Sequence, residues 1–101
     1  MKTYRLEKLS IKPGHHSGVS AGSSTTSKNC FYAEFDASKK KVVDIDNPEI
    51  SDIKVGGYLM VIRSMFLFNK TSEIQDILET AEDSITFETT SSVYKLEITN
   101  E

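Results

Sequence analysis

Residues 85–98 read ITFETTSSVYKLEI, and this stretch decides the fold class. Apolar and polar side chains alternate through residues 85–89 and again through residues 93–98. Strict alternation is typical of a β-strand with one buried face. The residues between the two runs are Thr and Ser, so an antiparallel hairpin is predicted. The side chains expected to face the core from its second strand are Tyr94, Leu96 and Ile98.

Three segments upstream also carry strand patterns. Residues 30–36 and 41–46 lie on either side of a polar turn and predict a second hairpin. Residues 58–63 are apolar on both faces, which is typical of a central strand covered on both sides. Residues 3–11 begin with regular alternation that then changes phase, which predicts a bulge or a bend. The chain is therefore predicted to be mainly β, a small antiparallel sheet or barrel.

The first strand of the second hairpin has two unequal faces. Phe31, Ala33 and Phe35 share one face, and Tyr32 and Glu34 share the other.

The segment 72–82 fits two structures. Ile74, Ile77, Leu78 and Ala81 recur at helical spacing, and Ser72-x-x-Gln75 has the form of a capping box. Periodicity therefore predicts one short amphipathic helix here, which keeps an α+β fold open.

A pattern of hydroxyl and apolar residues runs through the C-terminal half. In order, its members are Gly56 or Gly57, Thr71, Ser72, Ile74, Ile77, Thr89, Ser92, Tyr94 and Leu96. This resembles a recurring pattern in small uncharacterised proteins of phages and other mobile elements, with Ser91 where an Asn is common. The resemblance implies that residues 72–79 form a strand of a small curved sheet or barrel. It also implies a scaffold without catalytic residues. On this ground a strand is favoured over the helix.

The length of 101 residues predicts a single domain over residues 1–101. Residues 13–29 are rich in Ser, Gly and Thr without apolar periodicity, and they predict a flexible surface loop.

The charge distribution and the apolar runs limit which classes of partner and which cellular location are expected. The net charge is −3, and the second half of the chain holds nine of the fifteen acidic residues. No basic stripe is present, which argues against a nucleic-acid partner. No apolar run has the length of a membrane span or a signal peptide, and the single cysteine cannot form an internal disulfide. A cytoplasmic protein without membrane contact is expected.

None of the candidate groups matches the pattern of a known metal, phosphate-binding or catalytic site. His15 and His16 are adjacent, and neighbours in an extended chain point to opposite sides, so they chelate one metal poorly. The glycines of the 13–29 segment lack the lysine of a phosphate-binding loop. Cys30 next to Phe31 is typical of a small core residue rather than a nucleophile. We therefore expect no enzymatic activity, no metal and no cofactor.

A binding role remains after this elimination. The candidate binding residues are Arg63, which interrupts the most apolar strand, and the acidic residues Glu73, Asp76, Glu79, Glu82 and Asp83. The first hypothesis is a small binding protein that acts stoichiometrically on a protein partner, in the phage-like version an inhibitor of a host defence system. The alternative is a binder of an anionic metabolite or nucleotide, in which Arg63 and nearby aromatics capture the ligand. A homo-oligomer is compatible with either hypothesis.

Overall fold

The computed structural model describes residues 2–14, 21–64 and 68–100, which form nine strands and one 3-10 turn. The strands are β1 (Lys2–Ile11), β2 (Ser24–Ser27), β3 (Asn29–Asp36), β4 (Lys41–Asp46), β5 (Gly57–Ile62), β6 (Phe68–Lys70), β7 (Ile74–Thr80), β8 (Ser84–Thr89) and β9 (Ser92–Asn100). The 3-10 turn Ile50–Asp52 lies between β4 and β5. The prediction of a mainly β fold is confirmed.

The strands form two antiparallel sheets. The five-stranded sheet has the order β2-β1-β9-β8-β7, and the four-stranded sheet has the order β4-β3-β5-β6. The chain crosses between the sheets from β2 to β3 and returns from β6 to β7. Both predicted hairpins are confirmed, since β8 pairs with β9 and β3 pairs with β4.

The change of phase in the first strand is a β-bulge. The register of β1 against β9 shifts between Lys8 and Ser10, which leaves Leu9 without a partner. Leu9 is exposed, whereas Tyr4, Leu6 and Lys8 before it are buried. The extra residue ends the regular alternation, as the sequence predicts.

The segment 72–82 forms β7, so the favoured strand is confirmed and the helix is not formed. The register against β8 shifts between Ile74 and Asp76 and again between Ile77 and Glu79. In a regular strand, residues three apart point to opposite faces. A bulge inserts one residue and turns Ile77 back to the face that Ile74 occupies. The first bulge therefore gives Ile74 and Ile77 the spacing of one helical face, whereas Leu78 and Ala81 are exposed.

The core lies between the sheets and takes side chains from both. Its buried apolar members are Tyr4, Leu6, Cys30, Tyr32, Ile53, Leu59, Val61, Ile74, Ile85, Phe87, Tyr94, Leu96 and Ile98. Phe87 stacks on Tyr94 with their ring centroids 5.8 Å apart. The expectation that Tyr94, Leu96 and Ile98 face the core is confirmed.

The segment 13–29 is only partly the loop that its composition predicts. Residues Ser24–Ser27 form β2, which pairs with β1, and β3 begins at Asn29. Threonine and serine can continue a ladder at the edge of a sheet, because backbone hydrogen bonds rather than apolar side chains hold such a strand. Residues 15–20, which include both histidines, lie outside the described residues.

Candidate functional site

The four-stranded sheet buries one face and leaves the other open to contact. Cys30, Tyr32, Leu59 and Val61 point into the core. Because side chains alternate along a strand, the residues between them lie on the opposite face. The apolar members of that face are Phe31, Ala33, Phe35, Val42, Tyr58, Met60, Ile62 and Phe68. We call these eight residues the outer apolar face.

Several side chains of the outer apolar face are strongly exposed. Phe35 is 64% exposed, and Val42 and Phe68 are each 54% exposed. Phe35 and Val42 are register partners on β3 and β4, so they form one continuous apolar pair. The aromatic members Phe31 and Tyr58 are partly buried. The sequence therefore predicts β5 correctly as a central strand, but the described residues cover it on one face and only partly on the other.

Charged side chains stand at opposite edges of this face. Asp44 and Asp46 lie on β4, where the partly buried Ile45 between them packs towards the core. Lys70 lies on β6 at the other edge, with its Nζ 5.0 Å from the centroid of the Tyr58 ring. A lysine over an aromatic ring makes a favourable cation–π contact. The outer apolar face is thus acidic at one edge and basic at the other.

Tyr32 holds the sheet beneath this face in place. Its hydroxyl donates to the Glu34 carboxylate at 2.9 Å and accepts the Lys54 backbone N–H at 3.1 Å. Gly57 lies directly against it, because a Cβ at this position would be 2.5 Å from Tyr32 Cζ. A side chain at position 57 would therefore displace the ring that carries the hydrogen bonds.

Tyr4 of the five-stranded sheet supports the same connection from the other side. Its hydroxyl donates to the Pro48 carbonyl at 2.8 Å. Burial raises the pKa of Tyr4 and of Tyr32 to about 12, because desolvation disfavours the phenolate. The two tyrosines together fix the chain between β4 and β5.

Cys30 is a core residue, as its sequence context predicts. It is almost fully buried, and burial raises the pKa of its thiol to about 12. The thiolate is the nucleophilic form of cysteine, so this thiol is unreactive near neutral pH.

The structure places the five predicted acidic residues along one edge of the five-stranded sheet. Asp76 and Glu79 lie on β7, and Glu73, Glu82 and Asp83 flank it; all five are exposed. Asp76 pairs in register with Glu88, whose carboxylate is 2.8 Å from Lys12 Nζ. Acidic side chains and bulges on an edge strand hinder pairing with the edge of another chain. The acids of β7 therefore have a role in keeping this edge unpaired.

The predicted binding residue Arg63 lies apart from the acidic residues. It follows β5 in the four-stranded sheet and is exposed at the end of that strand. It makes no ion pair with any residue of the described ranges. The structure thus does not bring Arg63 and the acidic residues into one site.

The grooves of the surface also carry acidic groups. A groove of about 320 Å³ lies at the end of the two sheets and is lined by Glu49, Glu82 and Asp83 among others. A second, of about 310 Å³, includes Phe31 and Asp46. Neither is lined by Arg63. Carboxylates repel anions, so these grooves suit an anionic ligand poorly.

The hydroxyl residues of the C-terminal pattern meet at one corner of the fold. Ser72 Oγ donates to Thr89 Oγ1 at 3.1 Å and lies 3.2 Å from Ser91 Oγ. Thr89 Oγ1 in turn accepts the backbone N–H of Ser92 at 3.1 Å. Thr71 Oγ1 accepts the backbone N–H of Leu59 at 3.1 Å, which joins the corner to β5. The pattern residues therefore tie the crossing between β6 and β7 to the turn between β8 and β9.

Comparison with protein-family models, with curated proteins and with solved structures finds no match. Within residues 2–14, 21–64 and 68–100, no three His, Cys, Asp or Glu side chains form a group that could hold a metal ion. In the same part of the chain, no helix is long and apolar enough to cross a membrane.

Sequence reasoning missed the outer apolar face as a site. Two signals for it are present in the sequence, namely the apolar residues on both faces of 58–63 and the Phe31, Ala33 and Phe35 alternation. A strand buried on both faces shows the same two signals, so only the packing of the sheets distinguishes an exposed apolar face from a buried one.

Proposed function

We propose that this protein is a non-enzymatic binding protein that acts stoichiometrically on a macromolecular partner through the outer apolar face. The observation that carries the proposal is the exposure of the register partners Phe35 and Val42, with Phe68 exposed at the opposite corner of the same sheet face. Exposed apolar side chains that share a face mark interaction sites, and aromatic side chains are enriched at protein interfaces. Four of the eight residues of this face are aromatic. A protein surface is therefore the partner that this face suits best.

In its specific version, the proposal is an inhibitor of the phage type that acts on a host defence protein in the cytoplasm. This version draws on the resemblance in the C-terminal half, whose residues form the hydroxyl corner. The corner supports a scaffold role for the pattern. The outer apolar face lies in the other sheet, so scaffold and contact surface are separate parts of the molecule.

The anionic-ligand alternative has less support. It needs Arg63 next to a concave site, and Arg63 is an exposed residue that lines neither the groove beside Glu82 nor the one beside Asp46. A thermal-shift screen with nucleotides and anionic metabolites tests it, because a ligand that binds the native state raises the melting temperature. A ligand-dependent rise that Arg63→Ala abolishes would establish the alternative.

The proposal is tested with a double variant, Phe35→Ser with Val42→Ser, and with Leu78→Ser as the control. Leu78 is 51% exposed and lies on β7 of the other sheet, so the control removes a similar apolar side chain elsewhere. Proteins that the wild-type chain retains from host lysate are identified by mass spectrometry. Each is then purified and titrated against every variant by calorimetry.

A partner of fixed stoichiometry is expected, with wild-type affinity for Leu78→Ser and at least about tenfold weaker binding for the double variant. The proposal is overturned if the double variant binds as tightly as the wild type, or if no retained protein binds the purified chain.

A further inference from the structure

We infer that, when no other partner is bound, a second copy of this chain occupies the outer apolar face. The inference rests on the proposed function for the identity of the contact surface and goes beyond it by naming an occupant. It is carried by the order of charged and apolar residues across the four-stranded sheet.

One row of side chains crosses the whole sheet. Asp46 is the register partner of Phe31, Phe31 is that of Met60, and Met60 is that of Lys70. All four lie on the outer face, because Tyr32, Leu59, Val61 and Ile45 beside them point towards the core. The row therefore reads acid, apolar, apolar, base from β4 to β6.

This order is complementary to itself under a two-fold rotation. An axis parallel to the strands, between β3 and β5, places β4 of one copy over β6 of the other. Asp46 then faces Lys70, and Phe31 faces Met60, twice in each dimer. An interface with this symmetry uses the same patch on both copies.

The other in-plane axis, perpendicular to the strands, is excluded by charge. It would place β4 over β4, so Asp44 and Asp46 of the two copies would oppose each other. Juxtaposed like charges disfavour such a contact. The charges at the two edges of the sheet thus select one of the two arrangements.

The dimensions of the sheet fit this arrangement. Sheets that pack face to face lie about 10 Å apart, a gap that an Asp and a Lys side chain together can span. Four strands spaced by about 4.8 Å give the face a planar area of about 400 Å². Two such faces bury about 800 Å² in total, below the roughly 1,000 Å² of a stable specific interface, so a weak dimer with a Kd on the order of 100 μM is expected.

A consequence for the proposed function follows. A partner that binds the outer apolar face must displace the second copy, so partner binding and self-association compete. The apparent affinity for the partner then falls as the concentration of the free chain rises.

Charge reversal tests the inference by sedimentation equilibrium. Asp46→Lys and Lys70→Asp each turn both Asp46–Lys70 contacts of the dimer into repulsive ones. Each variant alone is expected to dimerise at least about tenfold more weakly than the wild type. In an equimolar mixture of the two variants both contacts are opposite in charge again, so a heterodimer is expected at wild-type strength.

Asp76→Lys is the control. Asp76 is exposed on β7 of the five-stranded sheet, so its reversal makes the same change of charge away from the outer apolar face. Its reversal is expected to change the dimer constant by less than about threefold. Circular dichroism and the melting temperature are measured for each variant, to check that the substitution leaves the fold intact.

The inference is overturned if the wild-type chain stays monomeric up to about 1 mM, or if the mixture of the two variants does not dimerise. It is also overturned if Asp76→Lys weakens the dimer as much as Asp46→Lys does. A monomeric chain whose partner binding is lost in the Phe35 and Val42 double variant would leave the proposed function standing. A chain that dimerises but binds no partner would contradict the proposed function and leave this inference standing.

Discussion

The outer faces of the two sheets differ in what they present to their surroundings. The five-stranded sheet exposes Arg5, Glu7, Lys95 and Glu97, and Arg5 Nη1 lies 3.0 Å from Glu7 Oε1 and 3.3 Å from Glu97 Oε1. The four-stranded sheet exposes Phe35, Val42 and Phe68. The first face balances its own charges, whereas the second leaves apolar surface in contact with water.

The difference shows where a contact has its largest effect on free energy. Exposed ion pairs contribute little, because water already solvates the separate charges well. Removing apolar area from water is favourable in proportion to the area buried. A partner that covers the outer apolar face therefore gains more than one that covers the charged face of the five-stranded sheet.

The inner faces of the sheets should not differ in this way. Leu59 of the four-stranded sheet and Leu96 of the five-stranded sheet are both fully buried. Leu59→Ala and Leu96→Ala are each expected to lower the free energy of unfolding by about 2–5 kcal/mol in urea denaturation. Met60→Ala, on the outer face of the same strand as Leu59, should cost less than half as much. Equal losses at positions 59 and 60 would contradict the assignment of the two faces.

The contact between Gly57 and Tyr32 gives the next effect in size. Gly57→Ala is expected to lower the free energy of unfolding by about 1–3 kcal/mol, because the new methyl group meets the Tyr32 ring. The double variant Gly57→Ala with Tyr32→Leu tests the cause. The cost of the alanine should fall once the ring is absent, and an unchanged cost would show that another contact is responsible.

Alkaline pH should weaken the connection that both sheets share. The pKa of Tyr4 and of Tyr32 rises from an ordinary value near 10 to about 12 in the folded state. A raised folded pKa means that the associated stability is complete below pH 10 and is lost as the pH rises towards 12. The buried Cys30 thiol, whose pKa is also raised to about 12, adds a loss that begins near its ordinary pKa of about 9. Urea denaturation between pH 8 and pH 11 should therefore give a stability that falls above about pH 9 and falls more steeply above about pH 10. Tyr4→Phe should flatten this fall; a fall of the same size in this variant would exclude Tyr4 as its source.

Substitutions on the charged face of the five-stranded sheet should have the smallest effect on the free energy of unfolding. The Lys12 ammonium and the Glu88 carboxylate are partly exposed and 2.8 Å apart. Lys12→Met is expected to change the free energy of unfolding by no more than about 1 kcal/mol, and salt should reduce the change. A larger, salt-independent loss would mean that this face contributes more to stability than its exposure implies.

The fold could be predicted where alternation is regular. The strands at 85–98 and 30–46 each have one buried face and a polar turn, so local pattern and tertiary packing agree. The strand β7 could not be derived from periodicity, because the bulge between Ile74 and Asp76 places Ile74 and Ile77 on one face at helical spacing. The strand β2 was hidden by its composition, since its pairing depends on β1 rather than on apolar side chains of its own.

The outer apolar face could not be predicted from the sequence, for a different reason. Phe31, Ala33 and Phe35 make the more apolar face of β3, yet Cys30 and Tyr32 of the opposite face enter the core. Sequence alternation shows that a strand has two faces and does not tell which one meets the other sheet. The acidic residues and Arg63 were visible as charges, but their positions in separate sheets follow only from the topology.

The measurement that tests the central claim most directly is site-specific photo-crosslinking. Benzoylphenylalanine replaces Phe35 on the outer apolar face and, in a second protein, Thr86 on the outer face of the five-stranded sheet. After irradiation in host lysate, we expect crosslinks from position 35, to a second copy or to the partner, and few from position 86. Crosslinks from position 86 alone, or none from position 35, would contradict it.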